Sequence, residues 1–346
     1  MKYWIACAII IFLGLFNKPC VIYSDENTEL AGGYTIEGIP NDHQIDKNVS
    51  YFYLYEKPGE KDQLKVKLIN DSNSRKVLDI RITNANTNVN GLIDYTGMLK
   101  DNKNLKNPLT SILKSRESKF EVSPKSEKEV TLDIQMPNKK YEGIVLGGIV
   151  VSEKDGSNKE HKSFSIGNTY SYTLGVVLTN SKETNLNINK SVKLQDVSPV
   201  LFDGKKVIQA NILNNNPYIF SKAAVKGAVY NEDGKTKTKE NSLNNVSIAP
   251  YSALPFQIDW QKDDLKPGTY IFKGSVKTKE DTWDFEKKFE IKNTEAKKIN
   301  EESVFKVVLP IWFIYSGYLV ILINIIGSFY IIIRKLKKKK LSIGGK

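Results

Sequence analysis

Alternation of apolar and polar residues with a period of two recurs along most of the chain, and it restricts the fold more than any other feature. In segment 63–69, Leu64, Val66 and Leu68 alternate with polar residues, and segment 129–136 has the same pattern. Segments 207–213 and 269–277 behave similarly. Since this period is that of a strand with one buried face, the pattern predicts strands over nearly all of residues 32–297.

Turn-forming pairs separate these predicted strands. Asn-Gly and Asp-Gly supply the positive φ angles that tight hairpins need. Such pairs, together with Pro-Gly, occur at 58–59, 90–91, 155–156, 203–204, 233–234 and 267–268. This spacing predicts an all-β chain with two tandem immunoglobulin-like β-sandwich domains.

The polar, turn-rich segment 152–163 is the expected boundary between the two domains, which we place at 32–153 and 164–292. The alternative is that this segment is a long hairpin loop inside one unit. We expect residues 293–306, which follow the second domain, to form a short stalk.

The positive charge of the chain is concentrated at its two ends. The chain has 51 basic and 39 acidic side chains and a net charge of +12. Residues 1–24 contribute two of these net charges and residues 334–346 contribute seven, which leaves +3 for everything between. A domain that neutralises nucleic-acid phosphates carries its charge on the folded part, so the distribution argues against a nucleic-acid partner.

The N-terminal segment 1–24 has the features of a secretory signal peptide. Lys2 is followed by the apolar run Tyr3–Phe16, and Ser24 offers a small residue for cleavage. An uncleaved anchor is the alternative. Both cysteines, Cys7 and Cys20, lie in this segment, so the exported part has no disulfide and depends on its core for stability.

Near the C-terminus, residues 307–333 form a run of about 27 residues without a charge. As a helix this run is about 40 Å long, more than the roughly 30 Å of a bilayer core, so it predicts a single transmembrane helix. A buried helix of a soluble domain is the alternative. Tail 334–346 then marks the cytoplasmic side. Its topology-setting residues are Arg334, Lys335, Lys337, Lys338, Lys339 and Lys340.

Several strings in the first predicted domain are specific enough to suggest a family. They are GYTIEGIPN (33–41), ITNANTNVNGLIDYTG (82–97) and YEGIVLGGIVVSE (141–153). In content and order they resemble the peptidoglycan-binding domain of the WxL-interacting proteins of Gram-positive bacteria. The second predicted domain is similar to the host-binding domain of the same family, and the C-terminal helix with its lysine run also matches.

The resemblance implies a non-enzymatic cell-surface adaptor that needs no cofactor. Its expected partners are peptidoglycan, WxL-domain surface proteins and a host extracellular-matrix protein, and it would be held in the cell membrane by its C-terminal helix. Two other functions remain open: an enzyme or enzyme subunit acting on extracellular polysaccharide, and a secretion-associated chaperone that donates a strand. Hydrolase chemistry needs a convergent pair of catalytic groups, and we recognise no such motif.

A row of asparagines is the candidate peptidoglycan site. Asparagines alternate along 84–90, and in an extended segment they would present amides that donate and accept hydrogen bonds with sugars. The alternative is that these residues stabilise turns through their own backbone. The candidate residues are Asn84, Asn86, Asn88, Asn90, Asp94 and Tyr95.

Three further features have structural interpretations. The glycine pair at 147–148 predicts a bulge or a close backbone approach in a core strand. Segment 231–240 lacks a ligand at the first position of a calcium loop, where Val229 stands, so it predicts a hairpin and no metal. His43 and His161 lie in polar segments, and we expect both at the surface.

Overall fold

The computed structural model describes residues 31–153, 170–305 and 311–343. The predicted signal peptide, most of the predicted domain boundary and His161 lie outside these residues. Within the described part, strands dominate and assemble into two β-sandwiches, which confirms the predicted fold class. Contacts divide the described residues into two compact units that are not consecutive in sequence.

The first unit contains residues up to Thr83, then Leu109–Lys140 and Gly147–Leu178. Its sandwich is built around two sheets, in the strand orders β1-β3-β9-β7 and β2-β11-β10-β4-β8. The strands are β1 (Tyr34–Ile39), β2 (Phe52–Tyr55), β3 (Lys61–Asn70), β4 (Lys76–Asn84), β7 (Leu113–Ser115), β8 (Lys119–Val122), β9 (Ser126–Gln135), β10 (Ile144–Glu153) and β11 (Ser171–Thr179). A short helix, α1 (Leu109–Ile112), precedes β7.

The alternation read from the sequence accounts for the core of this sandwich. Strands β3 and β9 pair antiparallel, with Leu64 opposite Leu132 and Val66 opposite Val130. These four side chains are buried, while Lys65 between those of β3 faces solvent and Thr131 between those of β9 is half-buried. The predicted buried faces of both strands are therefore confirmed.

The second unit contains Asn84–Pro108, Tyr141–Leu146 and the described residues from Thr179 onward. Its sheets have the strand orders β12-β13-β16 and β15-β14-β17-β18, and a two-stranded ribbon pairs β5 with β6. The strands are β5 (Asn86–Thr87), β6 (Ile93–Asp94), β12 (Lys193–Phe202), β13 (Lys205–Leu213), β14 (Phe220–Asn231), β15 (Lys237–Ile248), β16 (Ala253–Asp259), β17 (Gly268–Lys277) and β18 (Thr282–Ile291).

Large aromatic residues dominate the core of the second sandwich. Phe220, Phe256 and Phe272 are completely buried. Trp260 is also buried and makes an edge contact with Tyr270 at 6.0 Å between ring centroids. The predicted hairpin at 231–240 joins β14 to β15, so this turn is confirmed.

Helix α2 (Asn293–Glu302) follows β18 and covers one part of the second core. Its residues belong to the segment that we expected to form a stalk. Ala296 and Ile299 are buried in the core cluster of the second sandwich. The Asn300 side chain also exchanges two hydrogen bonds with the backbone of Leu265, at 2.9 and 3.0 Å. The helix is thus a packed element of this unit.

Helix α3 (Ile311–Ile343) is the last described element. Among the described residues, its stretch Tyr315–Ile333 is the one long and apolar enough to cross a membrane, and none of it is buried. An exposed apolar helix of this length suits a lipid environment. The residues predicted to set the topology, Arg334, Lys335, Lys337, Lys338, Lys339 and Lys340, fall within the range of α3.

Candidate functional site

Residues 84–108 leave strand β4, turn back through the β5–β6 ribbon and return to helix α1. We call this segment the excursion. Its tip is attached to strand β15 and the turn that follows it. The Ser247 amide donates a hydrogen bond to the Gly91 carbonyl at 2.8 Å, and the Ala249 amide donates to Thr87 Oγ1 at 3.0 Å. These bonds make the excursion part of the second unit.

Asn84 and Asn86 stabilise the excursion internally. Asn84 Nδ2 donates to Asp101 Oδ2 at 2.7 Å, and Asn86 Nδ2 donates to Asp101 Oδ1 at 2.9 Å. Both asparagines are buried, and Asp101 is exposed. The two-residue spacing puts both amides on the same side of the extended segment, where they hold the two oxygens of one carboxylate.

The other predicted site residues lie in turns of the excursion. Asn88 Oδ1 accepts hydrogen bonds from the amides of Asn90 and Leu92, at 3.0 and 3.1 Å. Asp94 Oδ1 accepts from the amide and hydroxyl of Thr96, at 2.9 and 2.7 Å. Asn90 itself is exposed in the turn. Tyr95 is half-buried. The structure therefore does not bring the six predicted residues together into one polar surface.

A cleft of about 900 Å³ lies next to Asn86, within the second unit. Its walls come from the excursion, including Leu99 and Asn102, and from strands β12, β13 and β16. Ser252 and Pro255 complete one side. We call it the amide-lined cleft, because carboxamide side chains contribute much of its polar lining.

A chain of hydrogen bonds connects Gln209 and Asn211 of the cleft lining with Gln257, which is not part of the lining. Gln257 Nε2 donates to Gln209 Oε1 at 3.0 Å, and Gln209 Nε2 donates to Asn211 Oδ1 at 3.0 Å. Asn211 Nδ2 in turn donates to Asp196 Oδ1 at 2.7 Å. Asn102 of the excursion donates to Gln195 Oε1 at 3.1 Å. The chain runs across three strands, on the face that is turned away from the core.

The chemistry of this cleft is that of hydrogen bonding without a dominant charge. Two lysines, Lys100 and Lys103, and two aspartates, Asp101 and Asp196, line it, so their formal charges cancel. Each carboxamide both donates and accepts, so the cleft matches ligands rich in hydroxyl and amide groups.

Most of the cleft was not identified from the sequence. Gln209 and Asn211 are the outward positions of a strand whose inward residues Ile208, Ala210 and Ile212 are buried. The alternation of apolar and polar residues indicates only that such positions face solvent. The pairing of Gln209 with Gln257 depends on strand register, to which the sequence pattern gives no signal.

A second polar cluster was also missed. His43 is partly exposed, and its imidazole lies 3.0 Å from a carboxylate oxygen of Glu56, whose side chain is fully buried. His43 and Glu56 are 13 positions apart, on either side of a turn and the strand β2. No local motif relates them.

Comparison with known proteins supports the family resemblance. Residues 34–153 match the family model "WxL Interacting Protein, peptidoglycan binding domain". Residues 161–301 match "WxL Interacting Protein, host binding domain", so the two models occur in the predicted order. No curated protein sequence matches this chain.

Solved structures with some likeness include bacterial chaperones. The Pseudomonas aeruginosa CupB2 chaperone is 13% identical, with 67% of this chain and 94% of that chain covered and a TM-score of 0.26. The E. coli chaperone DraB is 10% identical, with 69% and 93% covered and a TM-score of 0.28. Scores this low carry no information about function.

Both matching family models describe binding domains. A peptidoglycan-binding domain acts at the cell wall, and α3 is a candidate membrane anchor for it. Together the two matches extend over most of the chain, from residue 34 to residue 301. The chain therefore belongs to the WxL-interacting proteins, with one domain that binds peptidoglycan and one that binds the host.

Proposed function

We propose that this protein is a non-enzymatic surface adaptor that binds peptidoglycan through the amide-lined cleft while α3 anchors it in the membrane. The observation that carries the proposal is the hydrogen-bonded row Gln257, Gln209 and Asn211 beside the excursion. The excursion lies within residues 34–153, which match the peptidoglycan-binding model, whereas the row itself lies within residues 161–301, which match the host-binding model. Asn86, one of the residues predicted for glycan binding, lines the same cleft.

Carboxamides suit wall glycan because N-acetyl sugars offer hydroxyl and amide groups and no fixed cation. In the free protein the amides form hydrogen bonds with each other. A bound sugar replaces these hydrogen bonds with its own. Each exchange contributes only about 0.5–1.5 kcal/mol, and useful affinity needs several contacts along an extended ligand. An open cleft of about 900 Å³ leaves room for such contacts.

The adaptor part of the proposal concerns protein partners. The family name implies WxL-domain proteins, and the second matching model implies a host ligand. We propose that WxL-domain proteins and a host matrix protein bind the same anchored chain. A shared tether raises the effective concentration of each weak site near the wall, so modest individual affinities suffice.

The test is sedimentation of the full chain, purified in detergent, with purified peptidoglycan sacculi. The double variant Gln209→Ala/Gln257→Ala removes the two glutamines of the amide row and leaves Asn211. Both residues are half-buried and lie on the outward side of their strands, so the core remains unchanged. We expect binding about tenfold weaker, because the loss of one to two net hydrogen bonds corresponds to about 1.4 kcal/mol.

Gln135→Ala is the matched control, since Gln135 is an exposed strand amide of the first unit. It should bind like the unchanged chain. Equal sedimentation of the double variant and the control would refute the cleft as the glycan site. Release of soluble sugar from the sacculi by the unchanged chain would instead favour an enzyme acting on polysaccharide.

A further inference from the structure

Three separate segments of the first unit bring metal-binding side chains together. His43 lies in the loop between β1 and β2, Glu56 directly follows β2, and Asp62 lies near the start of β3. His43 Nδ1 is 3.0 Å from Glu56 Oε2 and 3.2 Å from Asp62 Oδ2. Glu60 adds a fourth group, because ligand atoms of His43, Glu56 and Glu60 lie within 4.8 Å of one another.

The backbone around this cluster holds its members in place. The Tyr55 amide donates to the His43 carbonyl at 3.0 Å, which fixes the loop against the end of β2. Asn41 contacts two members directly. Its Oδ1 accepts the His43 amide at 3.0 Å, and its Nδ2 donates to Asp62 Oδ2 at 2.7 Å. Metal ligands are commonly oriented by such outer hydrogen bonds.

The cluster has more negative than positive charge. Three carboxylates surround one imidazole, so a protonated His43 would still leave an excess of two negative charges. The Glu56 side chain is 0% exposed, whereas that of His43 is 36% exposed. A buried carboxylate needs a compensating proton or cation.

The protonation behaviour of the cluster agrees with this excess. Burial raises the pKa of Glu56 to about 8, against the opposing effect of His43. Burial by itself lowers the pKa of His43, but the hydrogen bond and charge of Glu56, with the charge of Asp62, raise it overall.

We propose that His43, Glu56 and Asp62 bind a divalent transition-metal ion, with Zn²⁺ the best match and Glu60 as an additional carboxylate. The site is separate from the amide-lined cleft and does not depend on the function proposed for it. Tetrahedral zinc with bonds of about 2.0–2.1 Å places its ligand atoms about 3.3 Å apart. The observed separations of 3.0 and 3.2 Å from His43 Nδ1 are close to this value.

The donor set favours zinc over the other common divalent ions. Calcium takes six to eight oxygen ligands, and magnesium keeps several waters around one or two carboxylates. An imidazole nitrogen together with carboxylates suits zinc and its transition-metal neighbours. Bound metal would join the 40–50 loop to strands β2 and β3 and so stabilise this part of the first unit.

The test is equilibrium dialysis of the full chain in detergent against ZnCl₂, after treatment with a chelator, with the metal content measured by mass spectrometry. We expect one zinc per chain and a rise in Tm of about 5 °C at saturating zinc. His43→Gln and Asp62→Asn should each weaken zinc binding, His43→Gln by at least about 100-fold, because even outer-shell partners contribute 10- to 100-fold.

His161→Gln is the matched control, because His161 is the other histidine of the chain. We expect the His161→Gln variant to bind one zinc per chain and to show the same rise in Tm as the unchanged chain. Since His43 and Asp62 are partly exposed, both variants should fold, and circular dichroism checks this. Zinc binding that is absent from the unchanged chain, or that persists in His43→Gln, would overturn the proposal.

Discussion

At the scale of single residues, one buried asparagine fastens the loops at a strand end in each sandwich. Asn70, the last residue of β3, donates to the carbonyls of Ser74, Val122 and Ser123 at 2.8–3.1 Å. Asn214, which follows β13, donates to the carbonyls of Tyr218, Ile248 and Ala249 at 2.8–3.2 Å. Each amide donates to backbone carbonyls of two neighbouring segments and so ties both segments to the end of its strand.

This arrangement predicts a large effect for Asn214→Ala. The substitution removes these three buried hydrogen bonds and the acceptor of the Asn216 amide, so we expect the free energy of unfolding to fall by about 2–3 kcal/mol. Thermal unfolding of the full chain in detergent measures the change. The neighbouring Asn215 is exposed, and Asn215→Ala should change stability by less than about 0.5 kcal/mol. Similar losses in the two variants would contradict this role of Asn214.

Asparagines show how far residue types alone can predict a site. The alternation of Asn84 and Asn86 predicted two amides on one side, and the structure has them there. The sequence does not reveal that their partner is Asp101, some 15 residues further on, and not a ligand. An amide makes similar bonds with a carboxylate and with a sugar, so its role depends on which group the fold brings near.

At the scale of elements, strand β10 shows why a glycine is needed. Residues Ile144–Val151 of β10 are buried. A Cβ at Gly147 would collide with the Thr83 carbonyl oxygen and lie 2.6 Å from Leu109 Cδ2. The close backbone approach predicted at this glycine is thus confirmed.

Gly147→Ala should therefore destabilise the protein by about 1–3 kcal/mol, because the added methyl group forces the backbone of β4 or helix α1 to shift. Urea unfolding is a suitable measurement. Gly175→Ala is the control from neighbouring strand β11, where a new Cβ would lie at an ordinary 3.4 Å from Tyr51 Cβ. It should be neutral or slightly stabilising. Equal destabilisation by both would show that general strand crowding, and not the Thr83 contact, is responsible.

The strands could be predicted more reliably than the helix that follows them. Burial alternates in β3 and β9 as their sequences do, because each has one face in the core. Helix α2 is only ten residues long and mostly polar, so little in its sequence indicates packing. Its burial depends on two residues, Ala296 and Ile299, and on the space that the second sandwich offers them.

At the scale of the whole molecule, α3 is the candidate anchor for both binding domains. Its apolar stretch is continuous and exposed, so lipid is the environment that would cover it. If α3 anchors the chain, weak binding sites benefit from a high local concentration at the wall. This links the anchor to the proposed recruitment of WxL-domain proteins.

The prediction is that crosslinking in intact cells recovers WxL-domain proteins with the full chain. The variant Ile323→Lys/Ile326→Lys should leave the membrane fraction and lose most of this recovery, since each lysine costs about 2.5–3.5 kcal/mol at a helix centre. Ile323→Val/Ile326→Val should behave like the unchanged chain. Recovery of cytoplasmic proteins alone would refute both the topology and the adaptor function, while undiminished recovery by the lysine variant would show that the anchor is unnecessary.

The sequence by itself determined the class of fold, the buried faces of the strands, the turns, the family and the apolar C-terminal helix. These properties follow from local periodicity, turn chemistry and hydrophobicity, which act over a few residues. Only the tertiary structure decided that the excursion joins the second unit, that Gln209 meets Gln257, and that His43 meets Glu56 and Asp62. These contacts depend on strand register and on backbone hydrogen bonds between distant segments. A one-residue change in register would abolish them.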